Sequence, residues 1–188
     1  MNREQWLTEV SELLKPVFLL RGVPIKHRYR ITCGWPCRFG LSIRQRRIGE
    51  CHSGSVSGDK VSEVFISPTI DDPIVVAGVV CHELIHVAVG TKEGHKGKFR
   101  LGCRYLGMTG KMTQAIPGEK LEEIRKLIEP LGEYPHKAMT VPTKLVARSI
   151  PLMKLICECG CVVRISQTDL DTVGFPTCGC GLLFGSEE

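Results

Sequence analysis

The stretch Asp72–Gly90, DPIVVAGVVCHELIHVAVG, decides how the rest of the chain is read. Asp72 is a natural N-cap, Pro73 suits the first helical position and Gly90 supplies a stop, so one helix of about 17 residues is expected. Apolar residues surround it on every side from Ile74 to Val89, the pattern of a buried helix. Within it stand His82, Glu83 and His86. Histidines four residues apart on a helix lie about 40° around and about 6 Å along the axis from one another, within reach of one ion. Two buried imidazoles and a buried carboxylate are costly unless partnered, and a zinc ion with its water would partner all three. Against this stands a chance match whose histidines hydrogen-bond within a core. Such a match is rare inside a capped, otherwise apolar helix followed by a polar loop and another histidine.

The third ligand sets the subclass. A metzincin places Gly three and His six residues after the second histidine, but Val89 and Lys92 stand there. An acid on a following helix is not offered either, since Arg100 to Gly118 contains no Asp or Glu, and Glu119, Glu122 and Glu123 are distant. His95, in the glycine-flanked turn EGHKG, is the best third ligand, with Glu93 competing as ligand or supporting group. Three neutral histidines leave a fourth position for water, as in catalytic zinc sites. Glu83 would take the proton of that zinc-activated water and pass it to a leaving amine, which describes peptide hydrolysis. For the oxyanion donor, side-chain chemistry offers only Tyr105, Tyr134 and His136.

Outward from this helix, Asn2 and Gln5 form a capping-box pattern before an amphipathic helix over residues 3–16, which Pro16 and Pro24 are expected to end. Strands are expected at Ile25–Ile31, Arg46–Cys51 and Glu63–Ser67, with a Ser/Gly-rich loop between the last two. Further helices are expected over Lys96–Leu106, with Phe99, Cys103 and Leu106 on one face, and over Gly118–Leu131. Residues 1–140 then form one domain, 141–152 a proline-containing linker and 153–188 a cysteine-rich tail.

That tail holds five of the chain's ten cysteines. Cys157-Glu-Cys159-Gly and Cys178-Gly-Cys180-Gly are paired-thiol turns separated by 18 residues, which suits a four-cysteine zinc ribbon with a hairpin through Val162–Ile165. A glycine after each second thiol favours a tight turn, although Cys161 is a competing ligand. A module of this size is too small to fold on its own core, so the metal supplies its stability. Cys33, Cys37, Cys51 and His52 make a weaker grouping without a regular knuckle, and Cys81 and Cys103 fall on apolar helix faces as core.

Together these residues resemble the SprT-like metallopeptidases. HELIH followed by EGHKGKFR carries the resemblance, and CGW at Cys33–Trp35, RRIGEC at Arg46–Cys51, VFISP at Val64–Pro68, LGMTGKM at Leu106–Met112 and LGEYPH at Leu131–His136 are similar to compact phage and bacterial forms. The similarity covers about residues 20–184. It implies an α+β fold, a zincin-like domain with a small antiparallel sheet and an HExxH helix, plus a C-terminal zinc ribbon. It also implies one catalytic zinc on His82, His86 and His95 with Glu83 as acid/base, and one structural zinc on Cys157, Cys159, Cys178 and Cys180. For the Spartan branch it implies cleavage of proteins bound or crosslinked to DNA.

Composition bounds these readings. With 43% hydrophobic and 24% charged residues the chain is neither disordered nor collagen-like. Its N-terminus lacks the apolar core of a secretory signal, so a cytoplasmic setting and reduced thiols are expected, and the resemblance implies that the cytoplasm is that of a bacterial or phage-infected cell. Residues 1–60 carry 11 basic and 5 acidic groups, 61–140 carry 10 of each, and 141–188 carry 4 and 5. The net charge of +5 therefore belongs to the N-terminal region, where Lys26, Arg28, Arg30, Arg38, Arg44, Arg46 and Arg47 interleave with Tyr29, Trp35 and Phe39. Such a surface could follow a DNA backbone, single-stranded or protein-bound, while aromatics stack on bases; the plainer reading is a solvated basic face. The alternative function is a non-catalytic, zinc-stabilised DNA-associated binding or regulatory protein, and a three-histidine nuclease fits the spacing less well.

Overall fold

A computed structural model describes residues 1–42, 44–114, 116–118, 121–141 and 151–186, in two compact units, Met1–Leu145 and Val146–Glu188. In the first, the capping box forms as expected: Asn2 Oδ1 accepts from the Gln5 N–H and Gln5 Oε1 accepts from the Asn2 N–H, both at 2.8 Å. The helix it starts, α1, spans Arg3–Leu20 and runs through Pro16 instead of ending there. A mid-helix proline forfeits one backbone hydrogen bond and crowds the preceding turn. Here the extension buries Phe18 beside Trp6, Leu7, Val10 and Leu14, and that burial offsets the local cost.

Three strands follow: β1, Tyr29–Cys33; β2, Gly49–His52; and β3, Ser62–Ile66. They form one sheet in the order β1-β3-β2. Since β3 pairs parallel to β1 and antiparallel to β2, the sheet is mixed, correcting the expected antiparallel one. Alternation reveals which residues are half-buried but not which neighbour a strand selects or in which direction it runs. Likewise β1 begins four residues later than its alternation suggested, because pairing starts where Tyr29 meets Ser62.

Helix α2 spans Pro73–Val89, capped by Asp72 Oδ1 accepting from the Val75 N–H at 2.8 Å and closed at Gly90. It packs against α1, β2 and β3, and against two later helices, α3, Gly97–Tyr105, and α4, Leu121–Ile128. Contact on so many sides is the physical reason its sequence is apolar all round. The expected helix over Gly118–Leu131 is shorter, passing at Glu129 into a 3-10 turn that carries Pro130. Between α3 and α4, β4 (Met108–Thr109) pairs with β5 (Ile116–Pro117).

In the second unit, β6, Leu152–Ile156, and β7, Val162–Ser166, form an antiparallel hairpin, with β8, Gly185–Ser186, on the other side of β6. A short helix, α5, Gln167–Val173, lies between the paired-thiol turns, where no helix was expected. Its Ser166 cap accepts from the Asp169 N–H at 3.0 Å. Most of the expected linker, residues 142–150, lies outside the described residues, and β6 already begins at its end. No helix among the described residues is long and apolar enough to cross a membrane.

Candidate metal centres

Helix α2 presents His82 and His86 on one face, and the turn before α3 brings His95 onto them. His95 Nε2 lies 3.3 Å from both His82 Nε2 and His86 Nε2. Two nitrogens bound tetrahedrally to one zinc stand about 3.3–3.4 Å apart, so His95 lies at ligand spacing from both helix histidines, and all three ligand nitrogens fall within 4.8 Å of one another. One wall of this cluster is Phe99 of α3, fully buried, stacked on the His86 ring at 4.1 Å and 5.0 and 4.9 Å from the rings of His82 and His95. Burial, then repulsion from His82, His95 and Arg47, pushes the His86 pKa down to about 3, and burial also lowers that of His95. Both are therefore neutral near pH 7, the form that donates a ring lone pair to a metal. The donor set and its spacing fit zinc.

Glu83 is 5% exposed. Burial raises its pKa to about 8, with Arg47 opposing and Glu50 reinforcing the shift. The strand beside it leaves room for the carboxylate: a Cβ on Gly49 would fall 2.5 Å from Val79 Cγ1 and within contact distance of Glu83 Oε1. Gly49 is thus a site residue that sequence reasoning passed over. A lone glycine in a strand often marks such a close approach, so a signal was present. Phe99 was foreseen as core but not as the wall of the cluster.

Other expected participants have different surroundings. Glu93 folds back over the start of α3, its Oε2 accepting from the Lys98 N–H at 3.3 Å, while His95 takes the place among the imidazoles. Glu122 and Glu123 pair with Arg125 and Arg21, and Glu119 lies outside the described residues. Of the oxyanion candidates, Tyr134 packs its ring on Trp6 at 5.0 Å, His136 Nε2 meets the Pro68 carbonyl at 2.9 Å, and Tyr105 is exposed beside Gly22, Lys26 and Val89. Arg30 is held by Asp59 and Glu63, and Arg47 by Glu50. Arg46 donates to the Ser42 carbonyl, whereas Arg28, Arg38 and Arg44 are simply exposed.

In the second unit, Cys157, Cys159, Cys178 and Cys180 converge, with Cys157–Cys180 sulfurs 3.4 Å and Cys159–Cys178 sulfurs 3.6 Å apart. Those separations far exceed a disulfide bond and approach the roughly 3.8 Å between two sulfurs on one zinc. The two turns repeat one pattern. In the first, the Cys157 N–H donates to the Cys161 carbonyl and the Gly160 N–H to the Cys157 carbonyl. In the second, the Cys178 N–H donates to the Leu182 carbonyl and the Gly181 N–H to the Cys178 carbonyl. Gly160 at φ 86° and Gly181 at φ 90° supply the left-handed backbone each turn requires. The Cys161 N–H and the neighbouring thiols lower the Cys159 pKa to about 6, so a thiolate is available there near neutral pH. Cys161 is exposed and outside the cluster.

Compared with known proteins, the chain matches no family model, no curated protein and no solved structure.

Proposed function

We propose that the unit Met1–Leu145 is a zinc-dependent endopeptidase of the SprT-like type, with the cysteine unit as its zinc ribbon. The observation that carries this reading is Glu83: a buried carboxylate that follows His82 on the helix bearing two of the three converging imidazoles, with Gly49 leaving space at its Oε1. A buried carboxylate is costly unless something offsets its charge, and a dication held by the three imidazoles would do so. Burial favours its protonated form and a neighbouring dication would favour the carboxylate, opposing pulls that suit a group which accepts and returns a proton.

The chemistry zinc supplies at such a site is Lewis-acid polarisation of a carbonyl and activation of water. His82, His86 and His95 would hold the ion through Nε2. Phe99 fixes the planes of the three rings and keeps solvent from that side of them. Glu83 receives a proton on its carboxylate as water attacks the peptide carbonyl, then delivers it to the departing amine. Gly49, lacking a side chain, leaves the Glu83 carboxylate space to do so. A DNA-associated substrate is supported by the exposed Arg28, Arg38 and Arg44, the arginines best able to meet phosphate, since Arg30 and Arg47 already neutralise acids.

The test compares wild type with Glu83→Gln, zinc counted in both, on self-cleavage and on DNA-bound protein substrates, with and without single-stranded DNA. Both should hold the same zinc, and the variant should lose at least about 10²–10⁴-fold in cleavage rate. Equal cleavage would remove the role of Glu83. Zinc-loaded wild type inert on every substrate would favour the binding-module alternative.

A further inference from the structure

The sheet face turned away from α2 holds a third group of metal-ligating side chains. Along β2 the alternation is unambiguous: Gly49 faces Val79 and Glu83 of α2, so Glu50 and His52 face the other way. This separates His52 from Cys51, which the sequence had grouped together, and from Cys33, which is buried in the core. In their place Glu50 joins His52, two residues away on the same face. Cys37, in the connection between β1 and β2, completes the group, with one ligand atom of each residue within 4.8 Å of the others.

The three side chains are held for ligation. Glu50 is a buried carboxylate whose Oε1 accepts from Arg47 Nη1 and whose Oε2 accepts from the Cys37 backbone N–H, both at 2.5 Å. A carboxylate oxygen carries two lone pairs, so Oε2 keeps one free after that contact. His52 Nε2 lies 3.3 Å from Glu50 Oε2 yet is buried without a hydrogen-bond partner. That separation is again about the edge of a zinc tetrahedron. The His52 ring is steadied edge-on against Phe65, with centroids 5.8 Å apart. Cys37 is exposed, so its sulfur has room to close on the other two.

We infer that Cys37, Glu50 and His52 form a third metal site, for a thiolate-accepting divalent cation of the zinc class. One thiolate and one carboxylate would neutralise the dication, and Arg47 would remain paired with the other carboxylate oxygen. A mixed sulfur, nitrogen and oxygen set favours zinc over magnesium or calcium, which prefer oxygen alone. The ion would tie the connection carrying Cys37 to the edge strand β2. It does not depend on the proposed peptidase activity, because none of its ligands belongs to the histidine cluster.

The test uses the full chain, reduced, stripped of metal and reloaded with Zn2+ alone. Zinc per chain should fall by one equivalent in Cys37→Ala and by one in His52→Ala, each relative to wild type. As a second readout, iodoacetamide should alkylate Cys37 more slowly in zinc-loaded than in metal-free wild type, and zinc should no longer protect it in His52→Ala. Because Cys37 is exposed, its variant and its alkylation are readable even if His52→Ala folds poorly. An unchanged zinc count in Cys37→Ala, or Cys37 alkylation indifferent to zinc in wild type, would overturn the site and leave Glu50 and His52 as mere neighbours on one face of β2.

Discussion

The histidine cluster and the cysteine cluster have similar ligand spacings but very different supports. His82 and His86 stand on a helix buried among Val76, Ala77, Val80, Leu84 and Ile85, within a core that also includes α1, the sheet and α3. The cysteine unit, among its described residues, buries only Leu155 and Leu170 as large aliphatic side chains, beside Cys157 and Cys178. Full burial of one such side chain contributes about 1.5–3 kcal/mol, whereas structural zinc in small domains contributes about 10–16 kcal/mol. In the first unit the fold would assemble the ligands; in the second, ion and fold would form together.

Removing the metal tests that contrast most severely. A strong chelator under reducing conditions should abolish amide protection through Leu152–Ser166 while sparing Arg3–Leu20 and Pro73–Val89, as read by hydrogen exchange. Cys178→Ser should reproduce the local loss without chelator. If both units lost protection together, the histidine site would also be a folding requirement and the comparison would fail.

Smaller changes sharpen the first half of the contrast. Phe99→Ala removes the ring that touches all three imidazoles and should cost about 3–5 kcal/mol in denaturant unfolding while weakening zinc retention. A variant that lost stability but kept zinc affinity would show that the core and the cluster are less coupled than their contacts suggest. Gly49→Ala drives a methyl group against Val79 and Glu83, and overpacking of this kind costs about 1–3 kcal/mol. It should reduce cleavage with zinc content unchanged; loss of zinc instead would place the disturbance at the imidazoles. Asp72→Ala, which deletes the α2 cap, should cost only about 1 kcal/mol in unfolding experiments and leave the zinc count intact.

Legibility in the sequence followed the range of the interaction. The boundaries of α2 could be read because Asp72, Pro73 and Gly90 act on the backbone within a few residues of themselves. The pairing of His82 with His86 could be read because helical geometry fixes it. His95 was within reach because only a short turn separates it from α2. Pro16 misled because its local penalty was visible while the burial of Phe18 was not. The direction of β1 depends on β3, and the company of His52 depends on the pleat of β2 and on a loop carrying Cys37.

By itself, then, the sequence determined the buried helix, the face its histidines share, the repeated thiol turns and the location of the positive charge. Each rests on spacing along a helix, on a glycine beside a thiol, or on composition. Only the tertiary structure decided that the sheet is mixed, that Phe99 and Gly49 shape the surroundings of the imidazoles and Glu83, and that Glu50 rather than Cys51 stands with His52. These depend on which segments distant in sequence come to lie against one another. Short-range periodicity leaves that choice open, and packing makes it.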